Sequence, residues 1–258
     1  MSDGISAIPK LERKGVALAI VSGRAICPLQ MLTSIALQSW PTNTNFRISN
    51  IYGADTAEGR IHAVRDAIAN KCKYVWFVDD DTVPPQDAGR RLMYLLEHQG
   101  PPHGKVMVAA GVYCTRGTPP EPLVYTAQGS GPDWNWKAGD VFKRWGAGTG
   151  CMMINTEVFE HLTEPWFKWT QEADFKESDD LYFCARLAEA GFELIIHGGV
   201  LCHHYDMERG VVYMLPRNSR PYLERIAEPS EPGLPMPCNL AEEKQGGETL
   251  DAVSQQRN

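Results

Sequence analysis

The sequence lacks any uninterrupted run of about 18 apolar residues, which is near the length that a membrane-spanning helix requires. Its first residues, MSDGISAIPKLERKG, contain no apolar core of the signal-peptide type. We therefore expect no transmembrane segment. The seven cysteines form no CxxC pair and mostly stand singly inside apolar segments. This usage indicates reduced, buried thiols in a cytoplasmic protein.

Basic residues are in the minority, with 25 Lys and Arg against 32 Asp and Glu and a formal net charge of -7. This balance argues against a broad nucleic-acid-binding surface. A local basic groove stays open as an alternative. Its candidate residues are Arg90, Arg91, Lys137, Lys143 and Arg144. The 43% hydrophobic share of 258 residues is enough for a sizeable core in one globular unit.

Strand and helix patterns alternate along most of the chain. The predicted strands cover 16–22, 46–52, 73–78, 105–113, 151–155 and 193–197. The predicted helices cover 28–39, 58–71, 86–98, 156–162 and 179–190, the last ended by Gly191. Short links between these elements imply parallel crossovers and a Rossmann-like sheet.

Two helices carry apolar stripes that we expect to face the core. The stripes consist of Leu29, Leu32, Ile35 and Ala36 in the first helix and Ile61, Val64, Ala67 and Ile68 in the second. The Thr-, Gly-, Pro- and Trp-rich stretch 115–145 predicts a hairpin and loops on the rim of the sheet. We expect residues 226–258, rich in Pro, Gly and Glu, to be extended or disordered, except for a short helix near 239–245.

Three aspartates, Asp79, Asp80 and Asp81, follow the apolar stretch YVWFV. Ligands of open parallel sheets collect at the carboxyl ends of strands, where these residues are expected to lie. If the backbone stays extended, Asp79 and Asp81 point to one side and Asp80 to the other. Two such carboxylates suit Mg²⁺ or Mn²⁺ completed by a phosphate. The alternative is a solvated acidic turn.

A second polar group lies in ESDDLYFCARLAEAGFELIIHGGVLCHHYD, residues 177–206. Ser178 and Asp179 suit the start of a helix, where the macrodipole favours negative charge. That leaves Asp180 free to face the cleft. His203 and His204 close the next strand, and an imidazole is a competent ligand for a divalent metal, although such a pair is more often structural.

Taken in order and spacing, VDDDTVPP, GAGTGCMMINTEVF, EPWFKW, DDLYFCARLAEAGF and the closing HH resemble the GT-A-type nucleotide-sugar glycosyltransferases of family two. The resemblance covers about residues 15–206 and is strongest from 146 to 204. It implies a GT-A fold in a single domain, 1–225. The nucleotide-binding half would cover about 15–115, and the acceptor half about 116–225.

The resemblance also implies roles for individual residues. Asp79 and Asp81 match the family's DxD positions, which hold a divalent metal, Mn²⁺ or Mg²⁺, on the donor diphosphate. His203 or His204 matches a histidine that in some members is a further ligand of this metal. Asp179 and Asp180 match a Glu-Asp pair whose second member is the catalytic base, with Asp in place of Glu at the first position. The predicted donor contacts are Ser22, Arg24, Arg60, Asp80 and Gly148.

Gly146, Gly148 and Gly150 are expected to allow close approach of the backbone to the sugar. Five tryptophans, Trp134, Trp136, Trp145, Trp166 and Trp169, are either a stacking platform for the acceptor or ordinary packing. The acceptor stays open among a glycan, a lipid-linked sugar, a protein and, less favoured by charge, a modified DNA base. Two other functions remain: a nucleotidyltransferase-like or phosphatase-type metal enzyme, and a catalytically silent module that binds glycan or protein.

Overall fold

The computed structural model describes residues 14–23, 26–172 and 175–215 of the chain. The strands are β1 (Lys14–Ser22), β2 (Thr44–Tyr52), β3 (Tyr74–Val78), β4 (Thr82–Val83), β5 (Val106–Val112), β6 (Val124–Tyr125), β7 (Val141–Arg144), β8 (Gly146–Ala147), β9 (Cys151–Asn155), β10 (Thr170–Glu172), β11 (Phe175–Glu177), β12 (Glu193–Leu201), β13 (His203–Asp206) and β14 (Val211–Tyr213). The helices are α1 (Leu29–Ala36), α2 (Thr56–Ala69), α3 (Ala88–Gln99) and α4 (Asp179–Glu189), with a 3₁₀ turn at Thr156–Glu160.

The central sheet has seven strands in the order β2-β1-β3-β9-β5-β12-β7. β1 pairs in parallel with β2 and β3, and β12 pairs in parallel with β5. β9 runs antiparallel between β3 and β5, and β7 is an antiparallel edge strand. The prediction of an α/β Rossmann-like GT-A fold, with a mostly parallel central sheet flanked by helices, is confirmed. The direction of β9 was not part of that prediction.

Both faces of the sheet are covered because the side chains of its central strands alternate between two cores. Val75 and Phe77 of β3 pack with α2 and α4 on one face. Tyr74, Trp76 and Val78 pack with α1 and α3 on the other. All five of these side chains are buried. Burying one large apolar side chain contributes roughly 1.5–3 kcal/mol to the free energy of folding. The five buried side chains therefore stabilise the position of β3 and of its carboxyl end.

A small second sheet, β14-β13-β4, lies beside that carboxyl end. β13 is antiparallel to β4, with His204 opposite Thr82 and His203 opposite Val83. The backbone N–H of Tyr205 also donates to the Asp81 carbonyl oxygen at 2.8 Å. These bonds bring the histidine pair next to the three aspartates, although more than 120 residues separate them in sequence.

The two predicted apolar stripes are wrong in part. In α1, Leu29, Leu32 and Ala36 are exposed, and Ile35 is buried as predicted together with Met31, which was not in the stripe. Met31 and Ile35 are four residues apart, so they lie on the same side of this short helix, and that side faces the core. The predicted stripe was equally regular in the sequence, so its spacing could not show which side would be buried. In α2, Ile68 is exposed although the rest of its stripe lies inward or at the margin of the core.

The predicted helix at 156–162 is only the 3₁₀ turn. The predicted rim at 115–145 contains short strands, but β6 pairs with β8 and β7 pairs with β12, so they do not form one hairpin.

Gly191 ends α4 as predicted, with a positive φ of 77° that glycine adopts without strain. The central sheet takes strands from both predicted halves of the domain. The boundary at 225 and the tail 226–258 lie outside the described residues.

Candidate active site

The three aspartates after β3 diverge into different surroundings. The Thr82 N–H donates to the Asp79 carbonyl oxygen at 3.0 Å, so the chain turns here and does not continue extended. Asp79 contacts Arg60, Asp80 accepts a hydrogen bond from the Ser22 hydroxyl, and Asp81 contacts His204. The expectation that Asp79 and Asp81 share one side of an extended strand is therefore wrong.

Arg60 of α2 joins the end of β3 to the start of α4. Its Nη1 donates to Asp179 Oδ2, and its Nη2 lies 3.1 Å from Asp79 Oδ1. The guanidinium and the Asp179 carboxylate are both almost fully buried. Arg60 was predicted to contact the donor nucleotide or its phosphates. In this structure it pairs with carboxylates, so that role stays a prediction.

Charge and burial together set the pKa values around Arg60. Burial raises the pKa of Asp79, the Arg60 charge opposes this, and the charges of Asp81 and Asp180 raise it further. The pKa of Asp179 is raised in the same way, by burial against the opposing charge of Arg60. Burial alone would lower the pKa of Arg60, but the carboxylates Asp79, Asp179 and Asp180 raise it above its ordinary value. The Asp180 charge thus acts on both Asp79 and Arg60.

Asp180 is half-buried in the first turn of α4. Its Oδ1 accepts hydrogen bonds from the Ser178 hydroxyl and, at 2.9 Å, from the Leu181 N–H. Burial raises the pKa of Tyr125 to about 12, and the Asp180 charge contributes to this shift. The expected capping by Ser178 and Asp179 is not found: the Ser178 side chain makes no cap hydrogen bond, and Asp179 is held in a buried ion pair with Arg60. Asp180 keeps a partly exposed carboxylate, and its position facing the cleft stays a prediction.

Asp81 and His204 form a pair at the other side of the turn. His204 Nδ1 lies 2.6 Å from the Cys114 carbonyl oxygen, which can only accept, so Nδ1 carries the proton. In neutral imidazole Nε2 then presents a lone pair, and it lies 3.3 Å from Asp81 Oδ1. A lone pair facing a carboxylate is unfavourable unless a proton or a cation lies between them.

This arrangement fits a divalent cation in part. A metal-binding histidine characteristically donates its other ring N–H to a carbonyl, as His204 does. Within the residues that the structure describes, however, no group of three or more His, Cys, Asp or Glu side chains is arranged to hold a metal ion. His203 is exposed, and Asp79 faces Arg60. Of the four predicted ligands, Asp81 and His204 are the two that contact each other, and two such ligands suit an ion that takes its remaining ligands from water and phosphate. The predicted ligand set itself stays a prediction.

A cleft with a volume of about 370 Å³ opens beside the carboxylates. Ser22 and Asp80 line its polar end, and Asn50 and Tyr52 from the end of β2 line another side. Apolar atoms supply the rest of the wall, from Ile20, Ile26, Cys27, Met31, Leu32 and Ile51. Two of the predicted donor contacts, Ser22 and Asp80, thus lie in one cleft. Arg24 lies outside the described residues.

The glycines before β9 are flanked by protein side chains. A Cβ on Gly148 would lie 2.3 Å from the Tyr113 hydroxyl oxygen, and one on Gly150 would lie 2.6 Å from the Tyr113 ring. A Cβ on Gly146 would meet Cys184 at 3.3 Å. The space beside these glycines on the Cβ side is filled by Tyr113 and Cys184, and the approach of a sugar to their backbone stays a prediction.

Tyr113 is a site residue that the sequence did not single out. Its hydroxyl oxygen accepts the Gly150 N–H at 3.1 Å, and the Gly150 carbonyl accepts the Asp79 N–H at 3.2 Å. Its ring packs edge-on against His204, with centroids 5.4 Å apart. Tyr113 directly follows β5, and this position at a carboxyl strand end was the available signal.

Substituting Gly148 with alanine is expected to destabilise the fold by roughly 1–3 kcal/mol, because the new methyl group overlaps the Tyr113 hydroxyl. Urea unfolding measures this loss. Gly131→Ala is the matched control, since its Cβ would meet nothing within 4 Å and should change stability little. Equal stability of the two variants would contradict the assignment of this space to Tyr113.

The tryptophans and the basic residues give little support to an acceptor platform or a basic groove. Trp136 and Trp166 are buried in the core, which favours packing for both, whereas Trp169 is 55% exposed and donates to Thr56. Most of the proposed groove is already ion-paired. The pairs are Arg90 and Arg91 with Asp87, Lys143 with Glu193, and Arg144 with Asp133.

No protein-family model matches the sequence, and no curated protein is similar to it by sequence. Among solved structures, A197 from STIV is similar with a TM-score of 0.55 and 18% identity, over 78% of this chain and 90% of A197. TarS from S. aureus, solved in complex with UDP-GlcNAc, gives a TM-score of 0.44 and 10% identity, over 72% of this chain and 56% of that one. The first similarity shows a shared fold.

No described helix combines the length and apolarity that crossing a membrane needs.

Proposed function

We propose that the chain is a metal-dependent glycosyltransferase that moves a sugar from a nucleotide-diphosphate sugar to an acceptor hydroxyl with inversion. One observation carries the proposal. The half-buried carboxylate of Asp180 lies near enough to Asp79, at the end of β3, to raise the pKa of Asp79, and the neighbouring Asp80 lines a cleft of about 370 Å³. A proton acceptor and a cluster of negative charge at the carboxyl edge of a parallel sheet suit transfer of a group carried on a phosphate.

The cleft between β1, β2 and α1 is the proposed nucleotide site. Its apolar wall suits a planar base, and the Ser22–Asp80 pair at its polar end offers groups that bind ribose hydroxyls. From there, the diphosphate would extend along the end of β3 toward Asp81. Asp80 would thus hold the nucleoside, and Asp81 would hold the cation.

Asp81 and His204 are the proposed cation ligands. A divalent cation bound there would offset the charge that develops on the leaving diphosphate. Asp79 and Asp179 act differently, because Arg60 holds both. Their proposed role is to fix the end of β3 and the start of α4 at a set separation, so that Asp180 faces the reacting carbon.

Asp180 is the proposed general base. The acceptor hydroxyl oxygen attacks the anomeric carbon from the face opposite the leaving group and forms the new glycosidic bond. The bond from that carbon to the phosphate oxygen breaks, its electron pair leaves with the nucleoside diphosphate, and the hydroxyl proton passes to Asp180. The single displacement inverts the configuration of the anomeric carbon.

A thermal-shift screen of UDP- and GDP-linked hexoses with and without Mn²⁺ tests the function. At a concentration near 100 times Kd, a bound ligand adds about 2.7 kcal/mol, which in a domain of this size raises Tm by roughly 5–10 °C. We expect one nucleotide sugar to produce this shift with Mn²⁺, and the Asp81→Asn variant to lose the dependence on Mn²⁺. If no donor shifts Tm, the proposal fails.

Adding nucleoside triphosphates, phosphate esters and glycans to the screen, with an assay of turnover, separates the two alternative functions. For a nucleotidyltransferase-like or phosphatase-type enzyme, nucleoside triphosphates or phosphate esters would raise Tm, and no glycosylated product would form. A silent binding module would bind glycan without Mn²⁺-dependent turnover.

The acceptor remains a glycan, a lipid-linked sugar or a protein, with modified DNA less favoured because most of the groove's basic residues are ion-paired. We also propose a cytoplasmic location, since five of the cysteines are buried as free thiols.

A further inference from the structure

Arg116 lies over the proposed cation site on the loop that follows β5. The loop is closed by the Thr115 N–H, which donates to the Glu121 carbonyl oxygen at 2.8 Å, and by the Glu121 N–H, which donates to the Thr115 hydroxyl at 3.0 Å. Arg116 Nη1 lies 3.3 Å from Asp81 Oδ2, and the Arg116 side chain is 42% exposed. The guanidinium therefore reaches a buried carboxylate from the solvent side.

Asp81 is contacted by a different basic group at each of its oxygens. His204 approaches Oδ1 and Arg116 approaches Oδ2, both at 3.3 Å. A divalent cation bound by Asp81 would repel the guanidinium, because the two positive charges would share one carboxylate. Arg116 and the cation thus compete for Asp81, and a bound cation makes the guanidinium available to another anion.

Two properties of the guanidinium decide which anion that is. The Arg116 side chain is 42% exposed while its Nη1 lies 3.3 Å from Asp81 Oδ2, so part of the guanidinium can be reached from solvent. A planar guanidinium with several free donors pairs well with the oxygens of a phosphate. The anion expected beside the cation is the donor's diphosphate.

We propose that Arg116 is a leaving-group ligand of the transfer reaction. Without a cation it neutralises Asp81, and with the cation bound it turns to the β-phosphate oxygens of the donor. There it stabilises the electron pair that remains on the phosphate oxygen when the bond to the sugar breaks. This inference rests on the proposed function, and it adds a residue that the sequence motifs did not include.

Opposite changes in two affinities test the assignment. In Arg116→Gln, Mn²⁺ alone should bind roughly 3- to 10-fold more tightly, because a competing charge beside Asp81 is removed. UDP or GDP, whichever binds the unaltered protein in saturating Mn²⁺, should bind roughly 10-fold more weakly, because a charge-assisted contact is lost. UMP or GMP should lose less, since neither has a β-phosphate. Isothermal titration calorimetry measures all of these affinities.

Two further variants serve as controls. Arg65→Gln removes an exposed arginine that pairs with Glu164 on the outer side of α2, and it should change neither affinity. Arg116→Lys keeps the positive charge, so it should leave the affinity for Mn²⁺ alone near its original value and restore part of the diphosphate affinity.

The outcomes distinguish this inference from the function on which it rests. If Arg116→Gln weakens Mn²⁺ and UDP or GDP together, its effect is on the structure of the site, and the inference is overturned. Unchanged affinities for both ligands would overturn it as well. If the unaltered protein binds neither Mn²⁺ nor any of these nucleotides, the proposed function itself fails.

Discussion

Replacing Asp180 with asparagine is expected to lower kcat for sugar transfer by roughly 10²- to 10⁴-fold, the usual contribution of a general base. Asparagine keeps the size of the side chain and an oxygen that accepts the Leu181 N–H, so the first turn of α4 should be preserved. What it loses is the ability to take the proton of the acceptor hydroxyl. Donor affinity should change little, because the proposed nucleotide contacts lie across the cleft on β1 and β3.

Steady-state kinetics with the donor identified by thermal shift, together with donor affinity from calorimetry, measure the two quantities separately. Glu189→Gln removes another carboxylate from the exposed end of the same helix and should leave both unchanged. An Asp180→Asn variant that keeps more than a tenth of the original kcat would show that another group takes the proton.

The largest loss of stability is expected from Arg60→Met, at about 3–5 kcal/mol, because one partner of a buried ion pair is removed and the other is left without compensation. Asp179 is the residue most affected, since its side chain is only 3% exposed and Arg60 is its ion-pair partner. Asp79 loses the same partner. Urea unfolding measures the change in the free energy of unfolding.

Arg65→Met is the matched control, because Arg65 lies on the same helix and pairs with Glu164 on the surface. An exposed pair of this kind contributes only about 0–1 kcal/mol. The double variant Arg60→Met with Asp179→Asn should recover part of the loss, since the more deeply buried of the two uncompensated charges is gone while that of Asp79 remains. Equal destabilisation by the two arginine variants would contradict the buried bridge.

The loss in Arg60→Met should also depend on pH. Burial already raises the pKa values of Asp79 and Asp179 in the folded protein, and removing the Arg60 charge raises them further. A carboxyl group with a raised pKa in the folded state binds its proton more readily there than in the unfolded state. Its contribution to stability is therefore lost as pH rises through the folded pKa. The deficit of the variant should shrink as the pH is lowered toward the ordinary pKa of aspartic acid.

The sequence predicted the fold and the location of the candidate site better than the contacts within it. The buried run of β3 and the Gly191 stop of α4 are local signals, and both are found as expected. One of the two partners of Arg60, Asp179, lies 119 residues away, so a pattern on α2 alone cannot identify it. Similarly, glycines such as Gly148 mark close approach, but the sequence cannot tell whether a ligand or Tyr113 approaches.

The expectation for the three aspartates failed for a different reason. Alternation of side chains assumes a strand that continues, and the hydrogen bond from Thr82 to Asp79 ends the strand at that point. Strand pairing likewise gives the two histidines different surroundings, which the sequence could not show. Because β13 joins β4, His204 is turned toward Asp81 and His203 toward solvent.

The antiparallel strand β9 at the middle of the sheet has a consequence for how the domain is divided. β3 and β5 do not touch each other along the sheet, since β9 lies between them. A fragment ending before residue 146 would lack both β9 and β12, so β3 would be unpaired along one edge and β5 along both, and unpaired edges of apolar strands drive self-association. The predicted nucleotide-binding half, about 15–115, is thus not expected to fold on its own. Its strands form a continuous sheet only when β9, from the later part of the chain, lies between β3 and β5.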